Sequence, residues 1–230
     1  MMRASLPWDD RYANGDWADI GRPAAILTEA EPWLGNPGLA LDLACGAGRN
    51  ALFLAERGWR VLAADLSLAG VRRLAGRVRR SGRADARGRP RRGGPGAGQG
   101  AGQGADLAFR PGDRTRRRAL QILPVLADLE RFAVEPGSFD LVVNTRFLLR
   151  SLFPLIRGAL KPGGLLVFET FSIQEIEELG GDLRRAYVLE RGELPRAFSD
   201  FEILRYEEGV FRREAGERGL ARLVARKPGG

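Results

Sequence analysis

Apolar runs and amphipathic stripes alternate along most of the chain. Residues 39–45 read as a buried strand halted by Gly46-Ala47-Gly48. Residues 49–56 follow as a helix burying Leu52, Phe53 and Ala55, with Gly58 just past its end. Residues 61–65 form a second strand. Leu68, Val71, Leu74 and Val78 then recur at helical spacing, one apolar stripe on a helix whose other face is rich in arginine. A third short strand is predicted over 122–128, with Pro124 tolerable only near its start, and a fourth over 139–144. A helix over about 147–160 is expected to bend or break at Pro154. Gly163-Gly164 turns into a fifth strand, 165–169. Ser172 and Glu175 stand at capping-box spacing ahead of Ile176 and Leu179. Two last strands, around 202–207 and 220–226, flank a charged loop as a hairpin does.

Strands that alternate with helices imply a parallel, doubly wound sheet. The expected fold is therefore α/β: a mostly parallel, seven-stranded Rossmann-like sheet closed by an antiparallel C-terminal hairpin. Such sheets place ligands at the carboxyl ends of their strands. That rule singles out the stretch from Asp42 to Gly48, then Asp65, Asp128 and Asn144.

Composition bounds the rest. At 230 residues, 44% apolar and 29% charged, the chain has the make-up of a globular domain, read here as a single domain over 1–230. No window approaches eighteen apolar residues and the start has no apolar leader, so the expected compartment is the cytoplasm, with no membrane partner. With one cysteine and no histidine, an internal disulfide and a thiol/imidazole zinc site are excluded, and no metal is expected.

The net charge of +8 invites a nucleic-acid reading, but it is local. Residues 81–120 hold ten arginines against three aspartates, which leaves only +1 for the rest of the chain. Within that stretch, residues 82–118 are almost entirely Arg, Gly, Ala, Pro, Gln and Asp. They contain the repeat Gly-Ala-Gly-Gln-Gly-Ala-Gly-Gln-Gly-Ala and have little to build a core with, so a disordered insert is expected. Lysine occurs only at 161 and 227, the bias of GC-rich coding. A local expansion or an out-of-frame stretch thus competes with an interaction arm as its origin. The helix before it carries the chain back to the strands' amino ends, so the insert should emerge away from the ligand rim.

The chemistry begins at the glycine loop, where two residues without Cβ let a ligand lie against backbone at a helix N-terminus. Gly46-Ala47-Gly48-Arg49-Asn50-Ala51 also fits the relaxed G-x-G-x-x-A dinucleotide pattern, so the glycines alone are ambiguous. Asp65 lies 17 residues after Gly48 at the end of strand two, where a carboxylate accepts both ribose hydroxyl protons. Its competing role is a helix N-cap, for which Ser67 is the rival. Cys45 reads as a small packing residue rather than a nucleophile.

Together these residues resemble the class I S-adenosylmethionine-dependent methyltransferases. Asp42-x-x-x-Gly46-x-Gly48 is similar to the family's first motif, Asp65 to its second-strand acid, and Ala127-Asp128-Leu129 to its third-strand adenine contact. The run from Gly137 to Val143 is similar to the fourth-strand motif, and Leu160-Lys161-Pro162-Gly163-Gly164 to the turn before strand five. Trp8-Asp9-Asp10-Arg11-Tyr12, Arg146-Phe147-Leu148 and Phe168-Glu169-Thr170-Phe171 are similar to the bacterial tellurite-resistance grouping. The stretch 180–185 departs from that grouping's pattern in the substrate lid.

The resemblance implies S-adenosylmethionine as cofactor. It puts the glycine loop against the methionine part, Asp42 near its amino group, Asp65 on the ribose, and Asp128 and Leu129 beside the adenine. Ala44, Cys45, Asn50 and Leu66 complete the expected cofactor wall, and Asn144 ends strand four beside the methyl. Arg11, Tyr12 and Arg146 are candidates for contact with the acceptor. Each has a plainer reading as well: a first amphipathic helix for Arg11 and Tyr12, a solvated helix cation for Arg146. The expected activity is methyl transfer to a small-molecule acceptor, for which a thiolate or chalcogen anion needs no general base. No catalytic base is named. The alternatives are an RNA methyltransferase or nucleic-acid binder working through the basic arm, and an NAD-dependent oxidoreductase.

Overall fold

The computed structural model describes Asp9, Tyr12 and residues 21–83, 120–213 and 216–229. The expectations for Arg11 and for most of the 82–118 segment lie outside these residues.

Short helix α1, Ala25–Glu29, precedes β1, Leu39–Leu43. Then come α2 (Arg49–Glu56), β2 (Arg60–Asp65), α3 (Leu68–Arg83), β3 (Ile122–Leu126) and β4 (Phe139–Thr145). The C-terminal part comprises α4 (Leu152–Ala159), β5 (Leu160–Phe171), α5 (Gln174–Glu177), α6 (Glu193–Ala197), β6 (Glu202–Arg213) and β7 (Gly216–Arg226). All seven strands form one sheet in the order β3-β2-β1-β4-β5-β7-β6. The first five are parallel, and β7 runs antiparallel to both β5 and β6. The α/β sheet with a closing hairpin is thus the observed architecture.

Both faces of the sheet are covered, which is why its central strands are apolar on both sides. One core layer joins Ile26, Leu27, Leu54, Trp59 and Leu74 to Ala40, Leu141 and Val143. The other joins Ile156, Leu194 and Phe198 to Leu41, Val142, Leu166 and Phe168. The chain order reverses between β1 and β4, so their carboxyl ends diverge and leave a crevice between them.

Several local expectations are corrected. α4 begins only at Leu152, so Pro154 falls in the first turn, where its missing N–H costs nothing and no bend is needed. Pro124 sits in the middle of β3, not near its start. It is tolerated because β3 is the sheet's outer strand. Gly163 and Gly164 do not precede β5 but lie within it, at a register shift between Phe139 and Leu141 of its partner strand. Ser172 makes no capping box: its buried Oγ has no partner, while Glu175 Oε2 accepts the Gly219 N–H at 2.6 Å. The C-terminal hairpin is much longer than the hydropathy pattern marks, because polar cross-strand positions pair as readily as apolar ones.

Candidate active site

At the switch point the chain leaves β1 abruptly. Ala44 and Gly46 adopt positive φ (51° and 54°), and Gly48 (φ 79°) turns the backbone into α2. A Cβ on Gly48 would run into the side chain of Leu74, and one on Gly46 into that of Tyr12. Both glycines are also favoured by their left-handed backbone, which a side chain would strain. Asp65 holds this loop in place. Its Oδ2 accepts the Gly46 N–H and its Oδ1 the Ser67 N–H, each at 2.7 Å. Ser67 wins the N-cap role outright, since its Oγ accepts the Gly70 N–H at 3.1 Å and donates to Asp9 Oδ1 at 2.6 Å. Asp65 is thus freed from capping. Burial raises its carboxyl above the ordinary 3.8, against the pull of those backbone N–H groups.

Four strand ends meet around one cavity of about 290 Å³. Ala44, Cys45 and Asn50 line it from the β1 side, Asp65 and Leu66 from β2, Asp128 and Leu129 from β3. Tyr12 and Arg146 complete the set of predicted residues on its wall. Asn50 ties two of these elements together: its Oδ1 accepts the Ala24 N–H and its Nδ2 donates to Thr145 Oγ1, both at 2.9 Å. Tyr12 lies against the loop with its hydroxyl pushed up to about 12 by burial and by Asp65. Burial also pushes the Cys45 thiol well up, which leaves it protonated and unreactive.

Four predicted residues act behind the wall rather than on it. Asp42 is 1% exposed; its Oδ2 accepts the Ala51 N–H at 3.1 Å and its Oδ1 has no partner. Burial pushes this carboxyl up to about 7. Gly46 and Gly48 shape the loop, and Asn144 spends its amide on the Phe147 carbonyl at 2.8 Å, which sets the turn after β4. Asp128 stands two residues beyond β3, where its Oδ1 accepts the Glu130 N–H.

The wall also holds residues that the strand-end rule did not single out: Thr145, Phe147, Leu148, Leu149, Glu130 and Tyr187. The first four simply continue from Asn144 and were within reach of that rule. Tyr187 was not, because it arrives from the loop between α5 and α6, more than forty residues away in sequence. Arg150 pins that loop. It donates to the carbonyls of Ala186 and Val188 at 3.2 and 3.0 Å and forms a two-pronged pair with Glu193 at 2.6 and 2.8 Å. Among the described residues no cluster of His, Cys, Asp and Glu could hold a metal ion, and no helix is long and apolar enough to cross a membrane.

A buried acid at the end of β2, a glycine bend after β1 and an apolar wall at β4 suit a nucleoside with a cationic tail. Comparison with known proteins points the same way. Residues 17–208 match a family model described as a methyltransferase domain. Over 102 residues the chain is 34% identical to the malonyl-[acyl-carrier protein] O-methyltransferase of Chlorobium phaeovibrioides, a match spanning 40% of this chain and 38% of that relative. The fold is similar to the crystal structure of TehB from Haemophilus influenzae (TM-score 0.64, 18% identity, 96% of this chain and 67% of that one). It is also similar to the 1,6-didemethyltoxoflavin-N1-methyltransferase of Burkholderia thailandensis, solved with S-adenosylhomocysteine (TM-score 0.59, 16% identity, 95% and 84%).

Proposed function

The chain belongs to the methyltransferase-domain family, whose cofactor is S-adenosylmethionine, and from that premise we propose that it transfers a methyl group to a small-molecule acceptor. One observation carries the reading: the carboxylate of Asp65, the bend of the glycine loop and the Asp128-Leu129 turn converge on a single cavity whose far wall is the end of β4. In this reading Asp65, facing the cavity, takes the ribose hydroxyls. Asp128 and Leu129 border the adenine, and the loop from Ala44 to Gly48 packs along the methionine part, with Asp42 behind it. The cofactor supplies a methyl sulfonium that is reactive by itself. The protein's work is then to align the acceptor and to exclude water. Phe147, Leu148 and Leu149 give an apolar wall for that purpose. The 82–118 segment belongs to this proposal as an addition that the catalytic domain does not need.

Calorimetry with S-adenosylhomocysteine and with NAD tests the reading directly. S-adenosylhomocysteine should bind and NAD should not. Asp65→Ala should weaken S-adenosylhomocysteine at least tenfold, because a charge-assisted pair of hydrogen bonds is lost. A 2′-deoxy analogue separates the ribose role from the loop-holding role: Asp65→Ala should cost it less affinity than it costs S-adenosylhomocysteine, whereas an equal loss would assign the effect to the loop alone. NAD binding in place of S-adenosylhomocysteine would overturn the assignment.

A further inference from the structure

We infer that the acceptor is an ionised carboxylic acid gripped by the guanidinium of Arg146, an inference that rests on the methyltransferase reading above. Arg146 follows β4 directly and holds a left-handed backbone (φ 59°), uncommon for a residue with a side chain. Its backbone N–H donates to the Glu169 carbonyl at 2.7 Å, and its Nε faces Glu169 Oε1 at 3.4 Å. The ring of Phe171 lies 5.2 Å from the guanidinium carbon. The two terminal nitrogens make no hydrogen bond to any described residue, although the side chain is only 25% exposed and lines the cavity.

Glu169 cannot turn to cover them. It is buried on β5, and its other oxygen faces Arg222 Nε at 3.2 Å. Arg222 is itself fixed by Glu207 and Glu29, each at 2.6 Å. Arg146 is therefore aimed from behind while its forked end stays available. Two parallel N–H donors match the two oxygens of a carboxylate, not the single centre of a thiolate or an amine. Beside that fork stand Phe147, Leu148 and Leu149, which suit the carbon body of an organic acid.

The chemistry of such an acceptor asks for no base. The chain has no histidine, and Tyr12, with its hydroxyl pushed up to about 12, is a poor proton acceptor at neutral pH. A carboxylate oxygen needs none. Its lone pair forms the new O–C bond as the C–S bond breaks, that pair stays on sulfur, and no proton leaves the acceptor. The negative acid and the positive sulfonium become a neutral methyl ester and a neutral thioether. Arg146 is then a specificity-determining residue, and Glu169 a positioning residue for it.

The test uses the full chain loaded with S-adenosylhomocysteine, titrated with hexanoate, benzoate and phenylacetate, and in parallel with hexylamine, hexanethiol and tellurite. At least one acid should bind, and with S-adenosylmethionine in place of the product it should yield its methyl ester. Arg146→Met should weaken the acid at least tenfold while S-adenosylhomocysteine affinity stays within twofold, which also reports that the variant is folded. Arg146→Lys should recover only part of the loss, since it keeps the charge but not the fork. Binding of no acid, binding of only the amine, the thiol or tellurite, or an acid affinity untouched by Arg146→Met overturns the inference. Failure of the parent chain to bind S-adenosylhomocysteine would instead overturn the methyltransferase reading beneath it.

Discussion

A carboxyl that has lost its water on one oxygen and gained nothing in return is an unusual thing to keep in a core, and Asp42 is such a group. Its ordinary value of 3.8 is raised to about 7 on folding, chiefly by desolvation. The sign follows from linkage: between those two values the native chain holds a proton that the unfolded chain has released. The contribution of this one group is full below about pH 4 and is lost as the pH rises through 7. The cofactor-free protein should therefore melt at a lower temperature at pH 8 than at pH 5. Asp42→Asn, which keeps an acceptor for the Ala51 N–H, should flatten that part of the profile; thermal melts across the range measure it. A profile equally steep in the variant would assign the drain to other groups. At this scale the places of Asp65 and Asp128 on the cavity wall were legible in the strand-end pattern, and that of Glu130 was not. What was not legible was the division of labour, in which Ser67 caps α3 and Asp65 braces the glycine loop.

Among elements, the loop that brings Tyr187 to the cavity depends on one side chain from the turn after β4. Arg150 reaches across to two of its carbonyls and to Glu193, and Glu193 Oε2 in turn accepts the Glu190 N–H at 2.8 Å. These contacts replace the regular hydrogen bonding that an irregular segment lacks. Arg150→Met should raise amide hydrogen exchange over 186–190 at least tenfold and leave S-adenosylhomocysteine affinity unchanged, because no cofactor contact is lost. Unchanged exchange would mean that apolar packing around Val188 and Leu189, both fully buried, holds the segment alone. The periodic elements of the parallel half were readable from sequence because their apolar positions repeat at fixed spacing. The capping-box pattern at Ser172 misled, since Gly219 on β7 claimed the carboxylate of Glu175.

On the scale of the molecule, the described residues that flank the basic segment are separated from the cavity by topology. α3 ends at Arg83, and the chain resumes at Leu120 ahead of β3, whose first residue Ile122 pairs with Val61 near the amino end of β2. The cavity lies at the opposite, carboxyl ends of these strands. Replacing residues 84–119 with a short Gly/Ser linker should leave S-adenosylhomocysteine affinity within twofold. Closing a shorter loop changes the entropy of folding only slightly. If the arm binds nucleic acid, retention on RNA and its steep salt dependence should vanish in the same variant. A collapse of cofactor binding on excision would show that the segment belongs to the domain after all.

Sequence by itself determined the alternation of strands and helices, the glycine bend, the carboxylates at the strand ends and the family. Each of these is written in short-range order, where periodicity and turn chemistry act within a few residues. Only the tertiary structure decided that Asp42 and Asn144 work behind the cavity wall, that Tyr187 reaches it, and that Arg146 is braced by Glu169 and Arg222 with its fork open. Those relations join residues tens of positions apart, and they depend on which groups burial leaves without water and which partners the packed sheet then brings within reach.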